Sequence, residues 1–437
     1  MIGEYDTYKN VIVLMGGFHQ LRVRQRMIHK RHSCKGYKSW WIDSGVIATG
    51  SADKAAEGGH YYRNMRLHKE SFCALVQYKI ECLTANYTAL DMHLLTLLQD
   101  LRDRPSPIAN KNVLENPAFI ELCNNVLSPV DGTESKMTIE YLKDVSSLLT
   151  LVSAVREQDI ERHLQAEREM IKHCFAFDHV NYARYMSFQH VYLRNLQREN
   201  HPAFTDLKLR GFGGSLSGAP FSNIHRDLIT EVFNGETKRS TGPYRAGYST
   251  DSSAVNTWIT TSHIHAKLQS AFREKIHMST SSVHKEVTPA ARKMHINHVQ
   301  KLKQKLIGYS IDPFSIGQAR HLATGSELDR KMVQGLLDAP AIGNERYKMF
   351  VEERLVKGSV DFYKPIKKLM LPTGLKKTKT APKAVTVLRQ DRQAFGTLLS
   401  KSIDLEEAFQ HPLTSVPLSI ATPDGELRQA PKHTLRN

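Results

Sequence analysis

The sequence predicts a mainly α chain: a helical bundle with one small α/β element at its start and a disordered basic tail at its end. Three observations lead there. From Tyr61 onward, apolar residues recur at helical spacing over segment after segment. One stretch alone, Asn10 to Met15 (NVIVLM), has the β-branched, uninterrupted apolar character of a buried strand. Past Gly358 the periodicity stops, and lysines interspersed with Pro365, Pro372 and Pro382 take over.

Length and composition are compatible with this. A chain of 437 residues with 41% hydrophobic content can bury a sizeable core, and about two or three domains is the expectation for that length. The segments expected are 1–60 (strand plus basic arm), 61–210 (helical), 211–357 (helical, site-bearing) and 358–437 (tail). Lys and Arg outnumber Asp and Glu by 60 to 44, a net charge of +16, which favours polyanionic partners such as nucleic acid. Five scattered cysteines with no C-x-x-C pair give neither a disulfide framework nor a Cys-rich zinc finger. No apolar run reaches the roughly 18 residues of a membrane span, and Met1 is not followed by a signal-peptide core. The expectation is a protein with no membrane partner, not secreted, nuclear or cytoplasmic.

NVIVLM ends at Gly16-Gly17, with Phe18 and His19 beyond, at the end of a strand where polar groups often meet ligand. It has no strand nearby to pair with, which leads us to expect further sequence upstream. Leu21 to Trp41 is dominated by basic residues. Arg22, Arg26 and Lys30 fall at i, i+4, i+8 on a helix, with Arg31 beside them and Tyr37, Trp40 and Trp41 at the end. Such a row neutralises phosphates, and the rings can stack on unpaired bases; a solvated basic helix with its tryptophans docked on a core fits the same pattern.

Gly45 to Gly59 reads as a small-residue loop, followed by helices over Tyr61 to Tyr87 and Asp91 to Leu101. Thr138 to Cys174 reads as one long helix or two in series, with Leu142, Val145, Leu148, Val155, Ile160 and Leu164 inward. Phe177-Asp178-His179 interrupts it, and Val180 to Gln197 resumes. Gly211 to Gly218 has no following Lys-Ser/Thr and no preceding strand, so it reads as a flexible approach, not a phosphate loop. A helix follows Asp251 to about Phe272. His263, His265, His277, His284, His295 and His298 then accumulate without Cys or carboxylate at ligand spacing, so surface or phosphate contacts are expected of them.

The most site-like stretch is Ile224 to Asp251. On a helix from Ile224, Leu228, Ile229, Val232 and Phe233 share an apolar face, while Asp227, Glu231 and Asn234 form a polar stripe at i, i+4, i+7. Lys238, Arg239 and Arg245 follow in a glycine-containing loop. Paired carboxylates can hold a divalent cation and a basic loop can hold phosphate; a solvated helix edge with a capped loop explains the same residues.

MGGFHQL, FDHVNYARY (Phe177 to Tyr185) and HRDLITEVFNGETKRSTGPYRAGYSTDSSAVNTW (His225 to Trp258) resemble recurrent segments of a large family of animal-genome proteins. That family is associated with mobile elements and carries a domain of unknown function. The resemblance covers most of residues 8 to 325. More distantly, the pattern is similar to DDE-type transposases, which implies a ribonuclease H-like element using three acids and two Mg²⁺. On that analogy Glu231 matches the third acid, with Asp227 and Asn234 its neighbours. The second acid falls just before the His of GGFH, where this chain has Gly17, and the first on a strand upstream of Met1. The expected function is therefore a nucleic-acid-binding, transposase-derived protein that is catalytically inactive, DNA being the favoured partner. The alternative is a helical interaction protein with no nucleic-acid role. The third reading is an active nuclease with Mg²⁺ or Mn²⁺ on Asp227 and Glu231.

Overall fold

The apolar face running from Leu142 to Leu164 is the axis of the bundle, and a computed structural model of the protein shows how the chain wraps it. The described residues are 14–86, 92–103, 107–210, 212–215, 221–232, 288–309 and 311–373, with isolated positions between 264 and 276. In chain order the helices are α1 (Gly17–His32), α2 (Tyr37–Asp43), α3 (Thr49–Ala56), α4 (Tyr61–Asn86), α5 (Met92–Asp103), α6 (Pro107–Leu114), α7 (Pro117–Leu127), α8 (Thr133–Glu157), α9 (Ile160–Ala176), α10 (Val180–Arg198) and α11 (Pro202–Arg210), then α12 (Pro289–Gly308) and α13 (Arg330–Phe350). The protein is mainly helical. Among the described residues the one sheet is a pair of two-residue antiparallel strands, β1 (Gly213–Gly214) and β2 (Ile224–His225). Residues 10–13 of the expected strand lie outside the described residues, and Leu14 to Gly16 lead directly into α1 without pairing.

Local chemistry sets the helix boundaries. The span from Thr133 to Ala176 is two helices because Gln158 takes a left-handed conformation (φ 58°) and the Asp159 carboxylate accepts from the Arg162 N–H at 3.0 Å to start α9. Asn116, Thr288 and Asp329 cap α7, α12 and α13 in the same way. Leu142, Val145, Leu148 and Leu164 are fully buried, each contributing about 1.5–3 kcal/mol. The first three sit in one apolar core that runs from Leu21 to Phe350, whereas Leu164 belongs to a smaller cluster with Ile160, Leu193, Leu196 and Phe204. Helix α9 packs on α8, α10 and α13, and α12 packs on α4. Gly343 permits the approach of α13 to α9, since a Cβ there would overlap the Lys172 carbonyl.

Three expectations need correction. The loop over Gly45 to Gly59 contains α3, whose Ala52, Ala55 and Ala56 are buried; small side chains at i, i+3, i+4 pack closely enough to make a helix here. In the basic stretch Arg31 does not stand beside the row of Arg22, Arg26 and Lys30, and the two tryptophans dock on the core instead of offering rings to bases. Arg31 is buried, donating to Asp144 (2.9 Å), Glu140 (2.9 Å) and the Leu336 carbonyl (3.1 Å), while Trp40 and Trp41 are buried and donate to the Leu302 carbonyl and the Ser71 hydroxyl. None of these groups faces solvent to meet a phosphate or a base.

The third correction concerns the tail. Residues 374–437 lie outside the described residues, but 358–373 form an irregular strap bound to the bundle. Phe362 packs edge-on against Tyr185, Phe188 and Phe350, and the Asp178 carboxylate accepts from the N–H groups of Leu369 (2.6 Å) and Met370 (2.9 Å). Spaced apolar residues, the Asp178 carboxylate and the Arg184, Arg346 and Arg354 side chains, which donate to strap carbonyls, dock it without any periodicity to read. Asp178 is itself left-handed (φ 64°), a conformation Asn also tolerates. Asp178→Asn should therefore keep the turn but lose the charge and one acceptor, weakening bonds worth roughly 1.5–3 kcal/mol. Amide exchange at Leu369 and Met370 should accelerate about 10–100-fold, and unchanged exchange would show that the apolar and arginine contacts hold the strap without Asp178.

Candidate functional site

Helix α1 begins at Gly17 with no side chain of its own to cap it. The cap comes from a residue more than two hundred positions further along the chain. Asp227 accepts from the Phe18 N–H (3.0 Å, Oδ1) and the His19 N–H (3.2 Å, Oδ2), and its Oδ2 also bonds His19 Nδ1 at 3.0 Å. Burial alone would raise the Asp227 carboxyl; the His19 ring and the two helix N–H groups reverse this and hold it below its ordinary value. Residues 226–232 are helical, so Glu231 follows Asp227 by one turn, half exposed, with Oε1 4.0 Å from His19 Nε2. The i, i+4 stripe is real, and it meets His19.

The short β1–β2 pair brings His225 against the same helix end. His225 is buried, which lowers its pKa to about 4, and its ring lies on Gly17. A Cβ at Gly17 would fall 2.7 Å from His225 Cγ and nearer still to Nδ1, and one at Gly16 would overlap the Asp227 carboxylate. Both glycines are there for space.

The third segment closes the face. Burial, then the positive charges of Lys30 and Arg26, lower His179 to about 4. Burial raises the Tyr182 phenol, whose neighbours include Arg26, Arg22 and Asp227. Helix α1 thus lays His19, Arg22, Arg26 and Lys30 along one edge. Arg22 donates to the Gly58 carbonyl (3.1 Å), Arg26 to the Glu57 carbonyl (2.7 Å) and Lys30 to the Phe177 carbonyl (3.1 Å). Backbone carbonyls steer these cations without neutralising them. Asn234, Lys238, Arg239 and Arg245 lie outside the described residues.

Residues from GGFH, DHVNYARY and HRDLITE therefore meet at one end of the bundle, across more than two hundred positions. Comparison with protein-family models matches residues 3–411 to a domain of unknown function (DUF8702). The chain belongs to the DUF8702 family. No curated protein and no solved structure matches it. In this DUF8702 protein, no described helix is long and apolar enough to cross a membrane. Among its described residues, no group of three or more His, Cys, Asp or Glu side chains could hold a metal ion.

Sequence reasoning named His19, Asp227 and Glu231 but missed His225, His179 and Tyr182. All three stand inside the segments that carry the resemblance, so the signal was present. Behind the face, Gln189 links the Met15 N–H (2.5 Å) to buried Glu167 (2.9 Å), a brace with no periodicity or motif to betray it.

Proposed function

We propose that this is a nucleic-acid-binding protein of transposase descent that no longer cleaves phosphodiesters, with DNA its favoured partner and a nuclear or cytoplasmic location. The observation that carries the reading is the edge of α1: Arg22, Arg26 and Lys30 sit in register on carbonyl supports, their charge available to a phosphate backbone. The net charge of +16 adds a field favourable to a polyanion. The kinship with a ribonuclease H-like enzyme is a matter of segment order and of the acids at 227 and 231. What occupies those positions supports the inactive reading. Asp227 is committed to capping α1, Gly17 leaves no room for a carboxylate, and a Mg²⁺ or Mn²⁺ ion reaching this face would find Glu231 and the outer edge of His19, too few charges for two-metal chemistry.

A helical interaction protein remains the second reading, favoured by the burial of Arg31, Lys35, Trp40 and Trp41 in the latter half of the basic stretch. Fluorescence polarisation of a labelled duplex at a series of salt concentrations separates the two. Each phosphate neutralised should add about 0.9 to the log–log salt slope. The Arg22→Ala, Arg26→Ala, Lys30→Ala triple variant should reduce that slope by about 2–3, with the fold intact by circular dichroism. Undiminished affinity and slope in the triple variant would rule out this edge, and no binding at all by the full chain would leave the interaction reading standing.

A further inference from the structure

Away from the α1 edge, α10 places Tyr185, Phe188 and Tyr192 at i, i+3 and i+7, which aligns them along one side of the helix. Two further rings reach this stripe from the strap. Phe362 packs edge-on against Tyr185 and Phe188, and Tyr363 packs edge-on against Phe362, while the Phe188 and Tyr192 rings lie parallel within 3°, their centroids 6.1 Å apart. The outer rings are not enclosed: Tyr185, Phe188 and Tyr363 keep 39%, 42% and 55% of their surface in solvent. Exposed rings gathered in one place, unlike rings scattered singly, mark an interaction surface.

The charge around the patch decides what it fits. Arg184 donates to the carbonyls of Tyr363 (3.2 Å) and Lys364 (3.1 Å), Arg354 to that of Phe362 (3.1 Å), and Arg346 to that of Phe175 (3.3 Å). As on α1, carbonyls steer these cations without neutralising them. Glu353 and Asp361 stand near Arg354, but the Asp361 carboxylate is engaged with the N–H groups of Tyr363 (2.7 Å) and Lys364 (3.0 Å). Lys364, Lys367 and Lys368 add exposed ammonium groups. The strap also joins the patch to the α1 edge. Past Lys368 it meets Asp178, and Thr373 accepts from the Ser33 hydroxyl at 2.9 Å, just beyond the end of α1. Phe177, next to Asp178, accepts from Lys30 (3.1 Å) and holds the same ammonium over its ring at 5.8 Å.

We propose that the protein binds single-stranded DNA, with unpaired bases stacked on Tyr185, Phe188 and Tyr363 and the phosphate backbone running past the strap lysines toward Lys30, Arg26 and Arg22. This rests on the nucleic-acid reading above and narrows it. Exposed aromatic faces bordered by cations suit a partner with flat π-faces on an anionic backbone. Paired bases are stacked on one another and offer no free face, so such a patch selects unpaired strands. Every base has a face to offer, so the patch is indifferent to sequence.

Fluorescence polarisation of the full-length protein with a labelled DNA strand of about 16 nucleotides, alone and in a duplex, tests this. At equal salt the single strand should bind more tightly. Phe188→Leu and Tyr363→Leu keep apolar bulk against Phe362 and remove the stacking face. Each should weaken single-strand binding by about 5–150-fold, the range for loss of one stacked base. Duplex affinity and the salt slope should stay as they are, because stacking releases no counterions. Amide exchange at Leu369 and Met370 should not change either, which separates stacking from support of the strap. Equal affinity for strand and duplex, or ring variants without effect on the strand, would overturn the proposal and leave the broader nucleic-acid reading in place. A loss on strand and duplex alike would overturn it too, and faster exchange alongside would show that the rings act by holding the strap. No binding of either probe would remove the nucleic-acid reading and this one with it.

Discussion

Replacing Asp144 with Asn should unfold the protein or bring it close to unfolding. Asp144 lies at the centre of the core, where its carboxylate meets Arg24 Nη2 (3.0 Å), Arg31 Nη1 (2.9 Å), His32 Nε2 (2.8 Å) and His173 Nε2 (3.0 Å). Burial alone would raise its pKa, but Arg31, His173 and Arg24 hold it well below the ordinary carboxylate value. The Asn variant keeps the shape and leaves two buried guanidinium groups with Glu140 as their remaining anion. Removing one partner of such a network costs about 3–5 kcal/mol, against a total stability of about 5–15 kcal/mol for a folded domain. Denaturant titration should show the loss as a lowered midpoint; a midpoint within experimental error of wild type would mean that the arginines find other partners.

The same core sets the pH response. Asp144, with its folded pKa depressed, contributes stability above the unfolded carboxylate value, and that contribution is lost as pH falls through the folded value. Buried histidines act earlier. His32, His163 and His68 are driven down to about 4, 3 and 3, chiefly by burial. Below the ordinary histidine value of 6.5 the unfolded chain takes up protons that the folded one refuses. Stability should therefore begin to fall near pH 6.5, with a slope of about 1.4 kcal/mol per pH unit for each histidine involved. A denaturation midpoint that is flat between pH 6.5 and 4.5 would show these rings to be solvated.

How much of this was legible depends on whether the physical cause is local. The inward face of α8 and α9 follows from spacing, but the place of the break between them does not, because Gln158 is not a residue type that signals a left-handed turn. The polar pair Asp227 and Glu231 could be placed on one helix by spacing as well. What Asp227 does could not, because a cap normally precedes its helix by one residue and this one follows by more than two hundred. Arg26 and Arg31 look alike in sequence; a turn of about 100° per residue puts one at the surface and the other on Asp144, and only the neighbour decides which. The strap over 358–373 is held by Asp178, Phe362 and arginines that donate to its carbonyls, none of which leaves a periodicity, so its composition reads as disorder.

Gly17 gives the sharpest test of the inactive reading. An active two-metal site by analogy needs a carboxylate here, so Gly17→Asp is the substitution that ought to restore activity if the scaffold were merely missing an acid. The geometry predicts the opposite. The new Cβ would occupy the space of the His225 imidazole, and either His225 or the end of α1 must move. Overpacking of this kind costs about 1–3 kcal/mol. Displacing α1 from Asp227 adds roughly 1 kcal/mol for the lost cap. Gly17→Asp should therefore lower stability without any Mg²⁺- or Mn²⁺-dependent nicking of supercoiled plasmid. Gly17→Ala should lose a similar amount, because the clash begins at Cβ, before any charge is added. The decisive variant is the double one. If steric conflict with the ring is the cause, His225→Ala should recover much of what Gly17→Ala loses, giving a coupling energy of about 0.5–3 kcal/mol. Additive losses in that cycle would show that Gly17 is required for something other than room for His225. Nicking by Gly17→Asp that depends on Glu231 would overturn the inactive reading altogether, since it would mean that His225 yields its place to a carboxylate able to complete a metal-dependent site.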